Sequence, residues 1–213
     1  MPNIVPVVEG PGDLVPTPIL LRKILHDQFN RFDIGVARPK KANGKGNLKR
    51  DLERFVNYAA LTHDCVGILV LVDADDECAL GIVEDFCARC RHLGLAFPIC
   101  IVCAVRDYEA WFLASLDTIK CGPNDARSLI SATAAFTGSA ESMHGVKAWL
   151  GRQMPPGRAY RETTDQAALT ALIDIPTAQA NSRSFKRLSH AVEELIVAID
   201  SGVSVVSPFA GNA

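Results

Sequence analysis

Two rhythms of apolar residues alternate along the first half of the chain. Short unbroken runs, such as residues 68–72 and 97–105, are separated by stretches whose apolar positions recur every three or four residues. A short continuous apolar run suits a strand buried on both faces, as in a parallel sheet. The pattern predicts strands over 3–8, 33–37, 66–73 and 97–105. Pro6 lies inside the first and has no N–H for a ladder bond, so that strand is expected at an edge or paired mainly on one side there. Helices are predicted over 16–29, with Ile19, Leu20, Ile24, Leu25 and Phe29 in phase and Pro16 or Pro18 in the first turn. Two more are predicted over 48–61, on Leu48, Leu52, Phe55 and Val56, and over 77–94, on Leu80, Val83, Phe86, Cys87, Cys90 and Leu93, with Gly94 terminating it. The run 110–114 reads as a short apolar helix.

After residue 115 the rhythm weakens. Residues 117–162 hold few periodic segments, with one short helix expected over 144–152. A helix capped by Thr163 or Thr164 is expected to reach about 173, and a last one to open at Ser182 and carry Phe185, Leu188, Val192, Leu195, Ile196 and Ile199. The tail after Gly202 reads as irregular. Alternating strands and helices predict an α/β fold with a mainly parallel sheet flanked by helices over 1–116, and a C-terminal helical extension over 117–213 packed on it.

Composition excludes more than it identifies. With 48% hydrophobic and 22% charged residues the 213-residue chain is that of an ordinary globular protein, and a net charge of -2 gives no global attraction for polyanions. No apolar run reaches the roughly 18 residues of a membrane span. The start Met1-Pro2-Asn3-Ile4 lacks the regions of a signal peptide, and seven cysteines, an odd number, suit reduced thiols, so a cytoplasmic location is expected. Cys87-x-x-Cys90 and Cys100-x-x-Cys103 have zinc-like spacing. However, the second pair lies on a predicted strand, where residues three apart face opposite sides, so these cysteines read as small buried hydrophobes.

Chemistry concentrates where strands end. Residues 68–72 run directly into Asp73, Asp75, Asp76 and Glu77. If extended geometry persists, Asp73 and Asp75 point the same way and repel unless a cation sits between them, and hard carboxylate oxygens suit a divalent ion. The alternative is a solvated acidic turn capping the next helix. Glu9 follows the first strand, and Arg106-Asp107-Tyr108-Glu109 follows that over 97–105. In parallel sheets the functional crevice lies beyond the carboxyl ends of strands, so Glu9, Asp73, Asp75 and Glu109 are expected to gather at one edge. Residues 38–50 carry six basic side chains and no acid, and read as a mobile cationic loop able to meet phosphate.

Glu9-Gly10 after a first strand and Asp73-x-Asp75 after a later one resemble the Toprim signature of topoisomerases, primases and OLD-family nuclease domains. The segments Val8–Gly10, Val72–Asp76, Tyr108–Phe112 and Ser182–Arg187 together resemble a group of small bacterial Toprim-like proteins. The resemblance implies Mg²⁺ (or Mn²⁺) on Asp73 and Asp75, Glu9 as general acid/base or further ligand, and Glu109 as an extra ligand. It implies a metal-dependent nuclease acting on DNA or RNA, with an ATPase partner, in defence against phage or other foreign DNA. Lys45, Lys49, Arg50, Arg106, Arg183 and Lys186 are the candidate phosphate-binding cations. Trp111 and Phe112 are expected in the core.

Two other readings stand beside it. One is a non-catalytic, metal-binding regulatory or nucleic-acid-sensing subunit of an ATPase complex. The other is a haloacid dehalogenase-type phosphatase with Asp73 as nucleophile, although that motif normally lies on the first strand. The chain has no Walker A sequence and no Gly-x-Ser-x-Gly elbow.

Overall fold

Strand β4 (Cys65–Asp73) runs through the middle of the sheet, with its residues 67–72 buried. It pairs on one side with β1 (Asn3–Val8) and on the other with β5 (Ile99–Ala104). Beyond β1 lie two short strands, β2 (Gly35–Val36) and β3 (Lys40–Lys41), and beyond β5 lies β6 (Val206–Ser207). Every pairing among the described residues is parallel. The computed structural model describes residues 1–120 and 129–208. Cys121 and the last five residues of the tail lie outside them.

Side-chain alternation on these strands divides the interior in two. Ile4, Val8, Leu69, Leu71, Cys100 and Val102 face one core; Val5, Val7, Ile68, Val70, Ile101 and Cys103 face the other. Cys100 and Cys103 thus lie on opposite faces, as their spacing predicts. The second core is covered by α2 (Lys45–Arg50), α3 (Leu52–Ala60) and α4 (Ala79–Arg91). The first is covered by α1 (Pro16–Lys23), α5 (Ala110–Ala114), α7 (Val146–Gln153), α8 (Ala167–Leu172), α9 (Ile175–Asn181) and α10 (Arg183–Ser201), with α6 (Leu116–Ile119) alongside. The protein is therefore an α/β fold with a mainly parallel sheet flanked by helices. Helices after residue 116 share a core with the sheet. No described helix is long and apolar enough to cross a membrane.

Pro6 shows how the sequence shapes the sheet. The carbonyls of Ile4 and Val8 accept from Ala37 and Ala42, so Pro6, two residues from each, faces the same side. There the partner chain breaks between β2 and β3, and Pro6 pairs only with Leu69 of β4. Its missing N–H faces a gap in the ladder.

Several local expectations are corrected. The strand expected over 33–37 shrinks to β2, and the basic stretch 38–50 is not a mobile loop, because it supplies β3 and α2. Leu48, fully buried, anchors that helix, so three charged residues of the stretch ride on an ordered turn. α4 begins at Ala79 rather than 77, which leaves Leu80 49% exposed and turns Ile82 inward instead. Neither Thr163 nor Thr164 caps the helix near 163. Residues 162–166 form a wide turn held by the Asp165 carboxylate, which accepts from the Arg161 N–H at 2.8 Å. Nor is the tail wholly irregular: Val206 and Ser207 pair with Ile99 and Cys100 and so cover the outer edge of β5.

The segments Tyr108–Phe112 and Ser182–Arg187 meet in the first core. Trp111 and Phe112 are fully buried. Trp111 Nε1 donates to Ser184 Oγ at 3.0 Å, and its ring meets that of Phe185 edge-on, with centroids 5.5 Å apart. Ser182, just before α10, accepts from the Phe185 N–H at 3.1 Å and donates to Glu141 at 2.8 Å. Ser182→Ala removes this cap from the longest helix and is expected to cost about 1–2 kcal/mol, readable as a lower urea midpoint at unchanged m-value; an unchanged midpoint would contradict the capping role.

Candidate functional site

From β1 the chain crosses to β2 on one side and later returns to place β4 on the other. The strand order therefore reverses between β1 and β4, where α/β sheets form their crevices. Glu9 ends one of these strands and Asp73 the other. Beyond them the turn Gly10–Asp13 is closed by the Gly10 N–H donating to Asp13 Oδ2 at 3.0 Å. Gly12 permits the next layer: a Cβ there would lie 3.0 Å from Gln166 Oε1 and 3.1 Å from Glu162 Oε2. Glycine lets the 162–166 turn approach the strand ends without displacing these two side chains.

The structure brings Glu9, Asp73 and Glu109 into one acidic neighbourhood, and adds Asp13 and Asp107. All five carboxyls are held above their ordinary values, each chiefly by burial. For Asp73 the charges of Asp13, Glu109, Glu9 and Asp107 add to that effect. Glu9 Oε2 is buried with no hydrogen-bond partner. Glu109, 1% exposed, is pushed up to about 8 by burial, against the pull of Lys147. Both its oxygens face protein donors. Tyr160 Oη donates to Oε1 at 3.0 Å, and Lys147 Nζ stands 3.8 Å from Oε2.

Asp75 departs from expectation. The extended geometry does not persist, since Asp75 adopts a left-handed conformation (φ 51°), as does Arg106 (φ 69°) on the neighbouring strand end. The Asp75 N–H donates to the Arg106 carbonyl at 2.6 Å, which fastens the two strand ends together. Asp75 nevertheless raises the Glu9 and Asp107 carboxyls through space, so it stands at the edge of the same cluster. The Asp75 side chain is 62% exposed and pairs with Lys45 at 3.0 Å. Lys45 also donates to the Ala74 carbonyl at 2.7 Å and pairs with Glu77 at 3.1 Å, so all three ammonium protons have acceptors.

The candidate cations separate. Lys45 lies at the acidic edge, Lys49 pairs with Glu77, and Arg106 pairs with Asp76 and donates to the Asp75 carbonyl at 3.3 Å. Arg50 pairs with its neighbour Asp51 at 2.8 Å and faces solvent. Arg183 and Lys186 line a different cavity of about 610 Å³ with Gln28, Gln179 and His190, away from the five carboxylates. Sequence reasoning missed Asp13 and Asp107 as members of the cluster, although both lie within five residues of a strand end. It also missed Lys147, Glu162 and Tyr160, which belong to the weakly patterned stretch 117–162.

As they stand, no three His, Cys, Asp or Glu side chains among the described residues close around a single metal position. The donor chemistry nevertheless fits a hard divalent cation. The cluster offers carboxylate oxygens, one of them buried and unpartnered, in surroundings where negative charge is costly.

A doubly wound parallel sheet with carboxylates gathered at its switch point defines an α/β protein with a polyacidic edge site. More particularly, the chain belongs to the family described as a domain of unknown function (DUF4276), whose model matches residues 8–193. No curated protein and no solved structure matches it.

The raised carboxyls make metal-free stability depend on pH. A group held above its unfolded value binds more protons in the folded chain, so its stabilising contribution is complete below the unfolded value and is lost as pH rises through the folded one. For Glu109 that window runs from its ordinary 4.5 to about 8. Urea unfolding without divalent ions should therefore weaken from pH 5 to 8. Glu109→Gln should remove a slope of up to about 1.4 kcal/mol per pH unit; equal slopes in both proteins would refute the assignment.

Proposed function

We propose that this protein is a Mg²⁺- or Mn²⁺-dependent, Toprim-like phosphodiester-cleaving enzyme of the cytoplasm. It acts on DNA or RNA, together with an ATPase partner, in defence against foreign DNA. The observation that carries the reading is the meeting of Glu9 and Asp73 at the switch point, where Glu9 Oε2 is buried without a hydrogen-bond partner. A divalent ion is the species that such an oxygen, surrounded by other carboxylates, is suited to hold.

Glu9 and Asp73 would hold the ion, with Asp75 joining once Lys45 releases it. When bound, the ion supplies Lewis-acid stabilisation of a phosphate oxygen and a lowered pKa for attacking water. The chain's own groups do the remaining work. Lys45 and Arg106, at the rim, offer positive charge to phosphate oxygens of the substrate. Asp107 and Asp13, whose carboxyls are raised above their ordinary values chiefly by burial, are placed to exchange a proton with the reacting groups. The Gly10–Asp13 turn fixes the backbone beside Glu9.

A second reading is favoured by Lys45, which at rest occupies Asp75 and leaves the ligand set incomplete. On that reading the protein is a metal-binding, nucleic-acid-sensing subunit that does not cleave. Incubation of the purified chain with single- and double-stranded DNA and RNA, with Mg²⁺ or Mn²⁺ and with and without an ATPase encoded beside it, separates the two. Cleavage should appear, and Asp73→Ala and Glu9→Ala should each lower it by more than the roughly 10–100-fold typical of an outer-shell partner. Metal binding without cleavage of any substrate would favour the sensing subunit.

A further inference from the structure

We infer that Lys147 is the resident cation of this site, occupying the position that a second divalent ion would otherwise take, so that the cluster accepts one metal ion rather than two. The inference rests on the metal reading above and deepens it.

Lys147 lies in the first turn of α7. Val146 and Leu150 of that helix are fully buried, and Trp149 packs edge-on against Phe136 with centroids 6.2 Å apart. The backbone bearing Lys147 is thus fixed by packing, and its side chain is directed at the acids. Its ammonium stands 2.7 Å from Glu162 Oε1 and 3.8 Å from Glu109 Oε2, bridging two carboxylates as a metal ion does. It also acts on Asp13, Asp107 and Asp73 through space.

Ions of a two-metal site stand about 3.5–4 Å apart and share carboxylates. Glu109 is the acid placed to provide the sharing oxygens, yet Tyr160 donates to one of them and Lys147 faces the other. Glu162 is committed as well: one oxygen accepts from Lys147, while the other packs over Gly12. Releasing either carboxylate would leave the ammonium among acids with its nearest partner gone. A second ion would also have to displace the ammonium from both Glu162 and Glu109. Among the described residues neither Glu9 nor Asp73 forms an ion pair, and Lys45 acts on Glu9 only through space.

Manganese binding tests this directly, by equilibrium dialysis for stoichiometry and electron paramagnetic resonance for spin coupling. The wild-type chain should bind one Mn²⁺ with an uncoupled spectrum. Lys147→Met should bind two, with the line pattern of a coupled pair, while Lys147→Arg, which keeps the charge, should stay at one. Two ions in the wild type, or one in Lys147→Met with its fold intact by circular dichroism, would overturn the inference and leave the metal reading standing. No binding in the wild type would overturn both. If Lys147→Met does not fold, the wild-type and Lys147→Arg stoichiometries decide: one ion in each supports the inference and two in either sinks it.

Discussion

Mutual repulsion among carboxylates at the edge of a sheet is the constraint around which this protein is arranged. Glu9, Asp13, Asp73, Asp107 and Glu109 share a region with little water, and each raises the cost of ionising its neighbours. Such a cluster is tolerable only where protons, lysines or a metal ion offset it. The rest of the fold supplies the rigidity that keeps the acids together. Both faces of β4 are packed, the strand ends are tied by backbone bonds from Ala74 to Ala104 and from Asp75 to Arg106, and Gly12 admits the turn that brings Glu162 overhead. Without that packing the carboxylates would move apart into water.

The part of this arrangement legible in the sequence is the part that depends on local rules. An apolar run that stops at an acid marks a buried strand leaving the sheet, and it identified Asp73 and Glu9 as neighbours once the strands were taken as parallel. Alternation also separated Cys100 from Cys103 correctly. It did not foresee the backbone at Asp75, because two residues beyond a strand the extended period lapses, and nothing in the pattern foretells a positive φ. Aspartate tolerates that conformation better than most residues, so the possibility was visible but not the outcome.

Long-range contacts were the other blind spot. Lys147, Tyr160 and Glu162 reach the acids only because α7 and the 162–166 turn fold back over the switch point. Their own stretch predicts only the short helix over 144–152, and nothing in its pattern shows what that helix packs against. The basic residues 38–50 failed for the opposite reason. Their charge suggested a solvated loop, yet Leu48 buries completely and converts the segment into an ordered helix whose lysines are spent on Asp75 and Glu77. Charge density says little about order when a single apolar anchor is enough to dock the turn.

The two lysines at the site are not equivalent, and the difference gives the cluster a direction. Lys45 pairs with Asp75 and Glu77, whose side chains are 62% and 50% exposed. Water and salt screen such contacts, so their net worth is on the order of 1 kcal/mol or less. Lys147 is itself 43% exposed and makes its short contact, 2.7 Å, with the half-exposed Glu162, while it stands 3.8 Å from the buried Glu109. Asp75 and Glu77 are therefore the acids that an incoming cation meets in solvent, whereas the Glu109 carboxylate is buried between Tyr160 and Lys147. That asymmetry follows from the burial of the carboxylates, and it holds whether the bound state leads to cleavage or only to sensing.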